Sequence, residues 1–254
     1  MFIASFNLKT SIQKWMFTLQ DFWDFPRLHP AREMKKLALQ ESVQYAQKHM
    51  RTAVGMESAR QVLSAALQQV TVPGYYLEFG VYKGGTITFI ANQVGSSQPV
   101  HGFDSFRGLE EAWSGDSFSF DLKGRLPKVP ANVTLHPGLF ADVLPGWLDQ
   151  NPGPAAFIHV DSDLYEPARC VFEHFEERIV PGTIIVFDEY FNYPNWQAHE
   201  FRAFSELVAR CQVQYEYLAY ARFQVAVKIK AISPGKPVHP QNSDLAALGA
   251  LSTR

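Results

Sequence analysis

The sequence predicts an α/β fold, a mostly parallel sheet with helices on both faces. Three observations carry this. Short, continuously apolar segments alternate with amphipathic ones from residue 75 onward. The apolar segments lack the in–out alternation of a half-solvated sheet, so both of their faces are buried. Acidic residues follow four of them, where parallel sheets bind ligands at the carboxyl ends of their strands.

Residues 1 to about 70 read as helical, and Ala59, Val62, Leu63, Ala66, Leu67 and Val70 trace one apolar face. Pro73-Gly74 ends that region. The spacing then predicts strands at Tyr75–Phe79, Val100–Phe103, Val133–Leu135, Ala155–Val160 and Thr183–Phe187. Helices are predicted at Thr86–Val94, Pro167–Glu177 and Glu200–Arg210, and an antiparallel pair at Tyr215–Ala221 and Gln224–Ala231. The expected organisation is an N-terminal helical cap (1–70), a main domain (71–233) and a polar, mobile tail (234–254). Trp113–Pro130 is long, polar and glycine-containing, the pattern of a lid or substrate loop.

Composition narrows the function. The 254 residues are 46% hydrophobic and 19% charged with a net charge of −2, an ordinary globular balance. No basic excess exists to neutralise a phosphate backbone, so nucleic acid is not an expected partner. Two cysteines without CxxC spacing support neither a disulfide framework nor a zinc site, and a reduced, cytoplasmic setting is expected. The N-terminal stretch is broken by Lys9, Lys14 and Asp21, so neither a membrane span nor a secretory leader is expected. It reads as an amphipathic helix covering the main domain or a second copy of the chain, with a membrane-surface helix as the alternative. Aromatic residues reach 14%, enough for some to line a ligand pocket.

Four motifs carry chemistry. Glu78-Phe-Gly80-Val-Tyr82-Lys-Gly84-Gly85-Thr86 runs from a strand into a helix. Its glycines let a ligand approach the backbone and free the helix start, but GxGxxG and GK[ST] are both absent. Asp104 ends the next strand, where a carboxylate can accept both hydroxyls of a ribose. His159-Val-Asp161-Ser-Asp163 and Phe187-Asp188-Glu189-Tyr190 place carboxylates on adjacent strand ends, a donor set for a hard cation such as Mg²⁺. The alternative for each carboxylate is a helix or turn cap. His159 reads as a core histidine rather than a ligand.

These motifs resemble the macrocin O-methyltransferase family, enzymes that methylate sugar hydroxyls on macrolides and related natural products. The matching pieces are Glu78–Thr86, Gly102–Leu109 (GFDSFRGL), Gly138–Pro145, His159–Glu166 and Arg178–Tyr190 (RIVPGTIIVFDEY), in order over roughly residues 50–230. Glu78–Thr86 and Val133–Pro145 are also similar to catechol O-methyltransferase. The resemblance implies a class I methyltransferase (Rossmann-like) fold, with a seven-stranded sheet whose last strand is antiparallel. It implies S-adenosylmethionine and Mg²⁺ as cofactors and a small-molecule hydroxyl acceptor. By family pattern Glu78, Gly80, Tyr82 and Thr86 surround the methionine part, Asp104 holds the ribose, and Phe140 and Asp142 sit by the adenine. Asp161, Asp188 and Glu189 hold the cation and Asp163 is the base. Many members carry Asp-Asp where this chain has Asp188-Glu189, a ligand one carbon longer.

Two other readings compete. Asp161-Ser-Asp163 imitates the DxD site of a metal-dependent glycosyltransferase, and the N-terminal helices suit an assembly role or a homo-oligomer contact. Phe118, Phe120, Phe191, Tyr193 and Trp196 are the expected lining of an acceptor pocket.

Overall fold

The computed structural model describes residues 29–108 and 120–233. Residues 1–28, the tail from 234, and residues 113–119 of the expected lid, Phe118 among them, lie outside the described residues.

The chain opens with α1 (Pro30–His49), a two-residue strand β1 (Val54–Gly55) and α2 (Ala59–Gln68). It alternates through β2 (Tyr75–Phe79), α3 (Gly85–Val94), β3 (Val100–Asp104), β4 (Val133–Pro137), α4 (Phe140–Gln150), β5 (Ala155–Val160), α5 (Tyr165–Phe175) and β6 (Ile184–Phe187). It closes with α6 (Glu200–Arg210), β7 (Gln214–Tyr220) and β8 (Val225–Ala231). The sheet order is β1-β7-β8-β6-β5-β2-β3-β4. Among the described strands only β8 runs against its neighbours, β6 and β7. This is the class I methyltransferase order with one strand added. The expected count of seven missed β1, which pairs parallel with the outer edge of β7. Two residues carry no periodicity, and this strand exists because the β7 edge offers unpaired groups, as in the bond from Met56 N–H to Tyr220 O (2.8 Å).

The expected strands and helices recur within a few residues of their predicted ends. α4 was not among them, because Pro145-Gly146 reads as a breaker. In the structure Pro145 sits inside that helix and forfeits one backbone bond, while Leu144 and Trp147 beside it are buried.

β2–β5–β6 are apolar because they are covered on both sides. On one face α2 (Val62, Leu63, Ala66) and α3 (Ile87, Ile90, Ala91) meet Val100, Phe157, Ile184 and Val186. α2, placed by the sequence reading in an N-terminal cap, is thus part of this core layer. On the other face Phe79 stacks on Phe103 at 5.1 Å, while Phe172, Phe187 and Phe204 interlock. Full burial of each such ring contributes about 1.5–3 kcal/mol, so most of the aromatic surplus is spent on the core.

The chain leaves β2 toward β3 and β4, then returns to the far side of β2 for β5. The strand order therefore reverses between β2 and β5, which opens a crevice at their carboxyl ends. Gly80 stands at that point with φ +98°, and a Cβ there would lie 1.7 Å from the Asp161 carbonyl oxygen. Only glycine allows the two backbones to meet so closely.

Candidate active site

The β2–α3 turn forms one wall of the crevice. Gly80 N–H donates to Phe103 O (2.9 Å), which draws the turn onto β3. Tyr82 sits at φ +48° and Gly84, the residue before α3, at φ +79°. Among the described residues no side chain caps α3, so the first-turn N–H groups beside Thr86 remain available to an anion or a ligand oxygen. Tyr82 packs its ring edge-on against Phe120 at 5.3 Å.

Asp104, at the end of β3, is engaged as a turn cap, the alternative to a ribose acceptor. Its Oδ2 accepts from Val81 N–H (2.8 Å) and Tyr82 N–H (2.7 Å), and its Oδ1 from Phe106 N–H (2.6 Å). A carboxylate has about four acceptor positions, so one remains, on Oδ1. Asp104 holds two residues in the left-handed region, Tyr82 and Phe106 (φ +54°). Phe140 begins α4 and meets Phe79 edge-on at 5.5 Å, while Asp142 lies in the same first turn and is exposed.

The acidic wall is built from the ends of β5 and β6. Ladder bonds from Asp161 N–H to Phe79 O (2.8 Å) and from Asp188 N–H to Val160 O (2.9 Å) fix both strand ends. Leu164 N–H then reaches back to Ser162 O (2.6 Å), placing Asp163 at φ +60° in a three-residue turn. Such turns are strained and concentrate at functional sites. The turn swings Asp163 back toward Asp161: one oxygen from each of Asp161, Asp163 and Glu189 lies within 4.8 Å of the other two. Asp188 is turned elsewhere, with Oδ1 accepting from Gln224 Nε2 (3.2 Å) and 3.9 Å from His159 Nε2.

Beneath this cluster, His159 Nδ1 meets Glu78 Oε1 at 2.9 Å, both side chains fully buried. His159 is in the core as expected, but among the described residues only its Nδ1 has a hydrogen-bond partner. Glu78 therefore faces the sheet interior rather than the loop. Among the described residues, buried polar atoms without a hydrogen-bond partner include Glu78 Oε2, His159 Nε2, Ser162 Oγ and Glu189 Oε2. A buried unsatisfied oxygen costs about 1–3 kcal/mol, so Glu189 Oε2 beside two further carboxylates is a donor set that fits a hard cation.

Electrostatics agree. Burial, then repulsion from Asp188 and Asp104, pushes the Asp163 carboxyl up to about 7. Burial likewise raises Asp161, Glu189 and Glu78, with repulsion from Asp188 added in each and His159 opposing the rise of Glu78.

Sequence reasoning missed Glu200. It opens α6, is wholly buried, and accepts from Ser162 N–H (3.1 Å) and Glu189 N–H (3.2 Å). An acidic residue in a first helical turn looks like an ordinary dipole partner, so nothing local marks it. The expected pocket aromatics behave otherwise than predicted. Phe191, Tyr193 and Trp196 are buried, Trp196 between Tyr45 of α1 and Phe201 of α6. Trp196 thus packs beneath α1, and the three rings present no open stacking surface.

Among known proteins, a family described as a methyltransferase domain matches residues 77–190. An 8-demethyl-8-(2,3-dimethoxy-α-L-rhamnosyl)-tetracenomycin-C 4'-O-methyltransferase of Streptomyces olivaceus is 31% identical over 144 residues, 47% of this chain and 54% of that protein. Mycinamicin III 3''-O-methyltransferase of Micromonospora griseorubida is 27% identical over 166 residues, 55% of this chain and 65% of that protein. The matched regions thus span between about half and two thirds of these relatives' lengths. The solved calicheamicin methyltransferase CalS11 has the same fold, with a TM-score of 0.54 and 22% identity over 66% of this chain and 77% of that one. Its apo structure, described as a TDP-rhamnose 3'-O-methyltransferase, gives 0.51 and 25% over 66% and 78%. The matched span starts in β2 and ends just past β6, so it contains the glycine turn, Asp104 and the whole acidic wall except Glu200. The resemblance read from the motifs is borne out: residues 77–190 match a family described as a methyltransferase domain, and the chain has a class I methyltransferase fold.

Proposed function

We propose that the protein is an S-adenosylmethionine- and Mg²⁺-dependent O-methyltransferase acting on a hydroxyl of a sugar or other polyoxygenated natural product. The observation that carries this is the convergence of Asp161, Asp163 and Glu189 beside the glycine turn at the switch point. The two curated relatives, both named for O-methylation of glycosylated natural products, support the acceptor class. The glycosyltransferase reading rests on Asp161-Ser-Asp163 alone and leaves the methyltransferase domain unexplained.

When bound, S-adenosylmethionine supplies an electrophilic methyl group, and a divalent cation supplies Lewis acidity that acidifies the acceptor hydroxyl. Asp161 and Glu189 would hold the cation together with Asp188, whose Oδ1 here accepts from Gln224 Nε2. The β2–α3 turn from Gly80 to Thr86 would seat the methionine part, and the remaining acceptor position of Asp104 would take one ribose hydroxyl. Phe140 and Asp142 would border the adenine. Asp163 would accept the proton that the acceptor hydroxyl gives up. A carboxyl pushed up to about 7 is a better base than an ordinary aspartate.

The test is methyl transfer to a panel of deoxysugar-bearing and phenolic metabolites, with and without chelator. Chelation is expected to stop turnover and Mg²⁺ to restore it; full turnover under chelation overturns the metal reading. Asp163→Asn is expected to lower kcat by about 10²–10⁴-fold with cation and cofactor affinities retained. Loss of cation affinity in that variant makes Asp163 a ligand instead.

A further inference from the structure

We infer that Glu200 is a positioning residue that sets the cation affinity of the acidic wall without being a ligand itself; the inference rests on the metal reading above. Glu200 belongs to neither strand end. It is the first residue of α6, and its carboxylate is buried beneath both acidic segments. One oxygen holds Ser162 N–H, between Asp161 and Asp163, at 3.1 Å. The other holds the N–H of Glu189 at 3.2 Å. One side chain thus ties together the two backbone segments that carry the clustered carboxylates. Tyr193 OH donates to Glu189 O (3.2 Å), so the peptide groups on both sides of the Glu189 side chain are held.

The geometry explains why a carboxylate is needed here. Both partners are donors, so the bridging group must offer two acceptors on one planar head. An amide offers one acceptor and turns its NH₂ against the second N–H. Two methylenes let the head reach both segments from the helix start. Without the bridge, Asp163 keeps its strained turn but loses the bond on the residue before it, and Glu189 loses a constraint on its own N–H. Four mutually repelling carboxylates would then move apart. A set of ligands held a few ångströms apart by a clamp binds a cation more tightly than the same set left to relax, because the reorganisation is already done.

The experiment titrates Mn²⁺, followed by the loss of its free six-line paramagnetic signal, and separately S-adenosylhomocysteine by calorimetry. The proteins are wild type and Glu200→Gln. A hydrogen bond to a charged group is worth about 1.5–3 kcal/mol, or roughly 10- to 100-fold in an equilibrium constant. Glu200→Gln is expected to weaken Mn²⁺ about 10-fold or more and to leave S-adenosylhomocysteine within about 2-fold, since the cofactor turn makes no bond to Glu200. Unchanged Mn²⁺ affinity overturns the inference, and so does parallel weakening of both ligands, which would mark a role in the fold alone. If Glu200→Gln does not fold, Glu200→Asp serves with the same criteria: both oxygens stay but are drawn back by one bond. Wild-type protein that binds no Mn²⁺ overturns the metal reading and this inference with it, whereas normal binding in the variant overturns the inference alone.

Discussion

Gly80 and Asp104 show how single residues create the crevice. A Cβ on Gly80 would meet the Asp161 carbonyl at 1.7 Å, and both partners are backbone held in ladder bonds. No flexible side chain can yield, so the strands themselves must separate. Gly80→Ala is therefore expected to lose about 3 kcal/mol or more, the sum of overpacking and a left-handed backbone angle. Urea denaturation measures this, and a loss below about 1 kcal/mol would show that β2 and β5 can part without cost. The acidic strand ends were legible in the sequence because residues that follow an apolar strand must lie at its rim. The bonds that Asp104 makes were not legible. They depend on Tyr82 and Phe106 adopting positive φ, which only the assembled turn imposes.

α1 docks on the segment that follows the acidic wall. Its Tyr45 hydroxyl meets that of Tyr217 at 2.6 Å, and Tyr217 in turn meets Tyr190 at 2.8 Å and Tyr215 at 3.2 Å. Ser42 Oγ accepts from Asn192 N–H at 2.8 Å. Through these bonds α1 is fastened to the segment that follows Glu189. The sequence pointed to a helical N-terminal region but not to this docking, because hydroxyl-to-hydroxyl contacts between residues 45 and 217 leave no periodic trace. It missed β1 for want of length and α4 because a proline-glycine pair masked the helix. By contrast β5 and β6 were plain, since burial on both faces forces a run of apolar residues. Tyr217 is the hub. Tyr217→Phe strands several buried hydroxyls and is expected to cost about 2–4 kcal/mol, while Tyr45→Phe removes one peripheral bond and costs about 1 kcal/mol. In Tyr45→Phe, amide exchange is expected to quicken across α1 and not in β5 or β6. Uniform quickening would mean that α1 and the sheet open as one unit.

For the molecule as a whole, the acidic wall is a repulsive centre that must respond to both protons and cations. The Asp163 carboxyl is pushed up to about 7 from 3.8, and burial raises Asp161 and Glu189 in the same direction, as it does Glu200 against the opposing pull of its Ser162 and Glu189 N–H donors. Between about pH 4 and pH 7 the native state therefore holds protons that the unfolded chain has released, and this contribution to stability falls as pH rises. His101 works the other way: burial and the adjacent His136 lower it to about 4, so its neutral native form loses stability as pH falls below about 6.5. The two effects overlap in a simple melting curve. They separate in the increment that Mg²⁺ adds, because His101 lies on β3 and β4 is its partner strand, away from the clustered carboxylates. A ligand that binds only the native state stabilises it by RT ln(1 + [L]/Kd), about 2.7 kcal/mol at a hundred times Kd. For a chain of this size that corresponds to a rise in Tm of roughly 5–10 °C. Protons compete with the cation for the same oxygens, so the rise is expected to be distinctly larger at about pH 8 than at about pH 6. Thermal melts with and without saturating Mg²⁺ at both values decide it. Equal increments would mean that the cation does not contact the groups whose protonation burial favours, and no increment at either pH would remove the cation from the wall altogether.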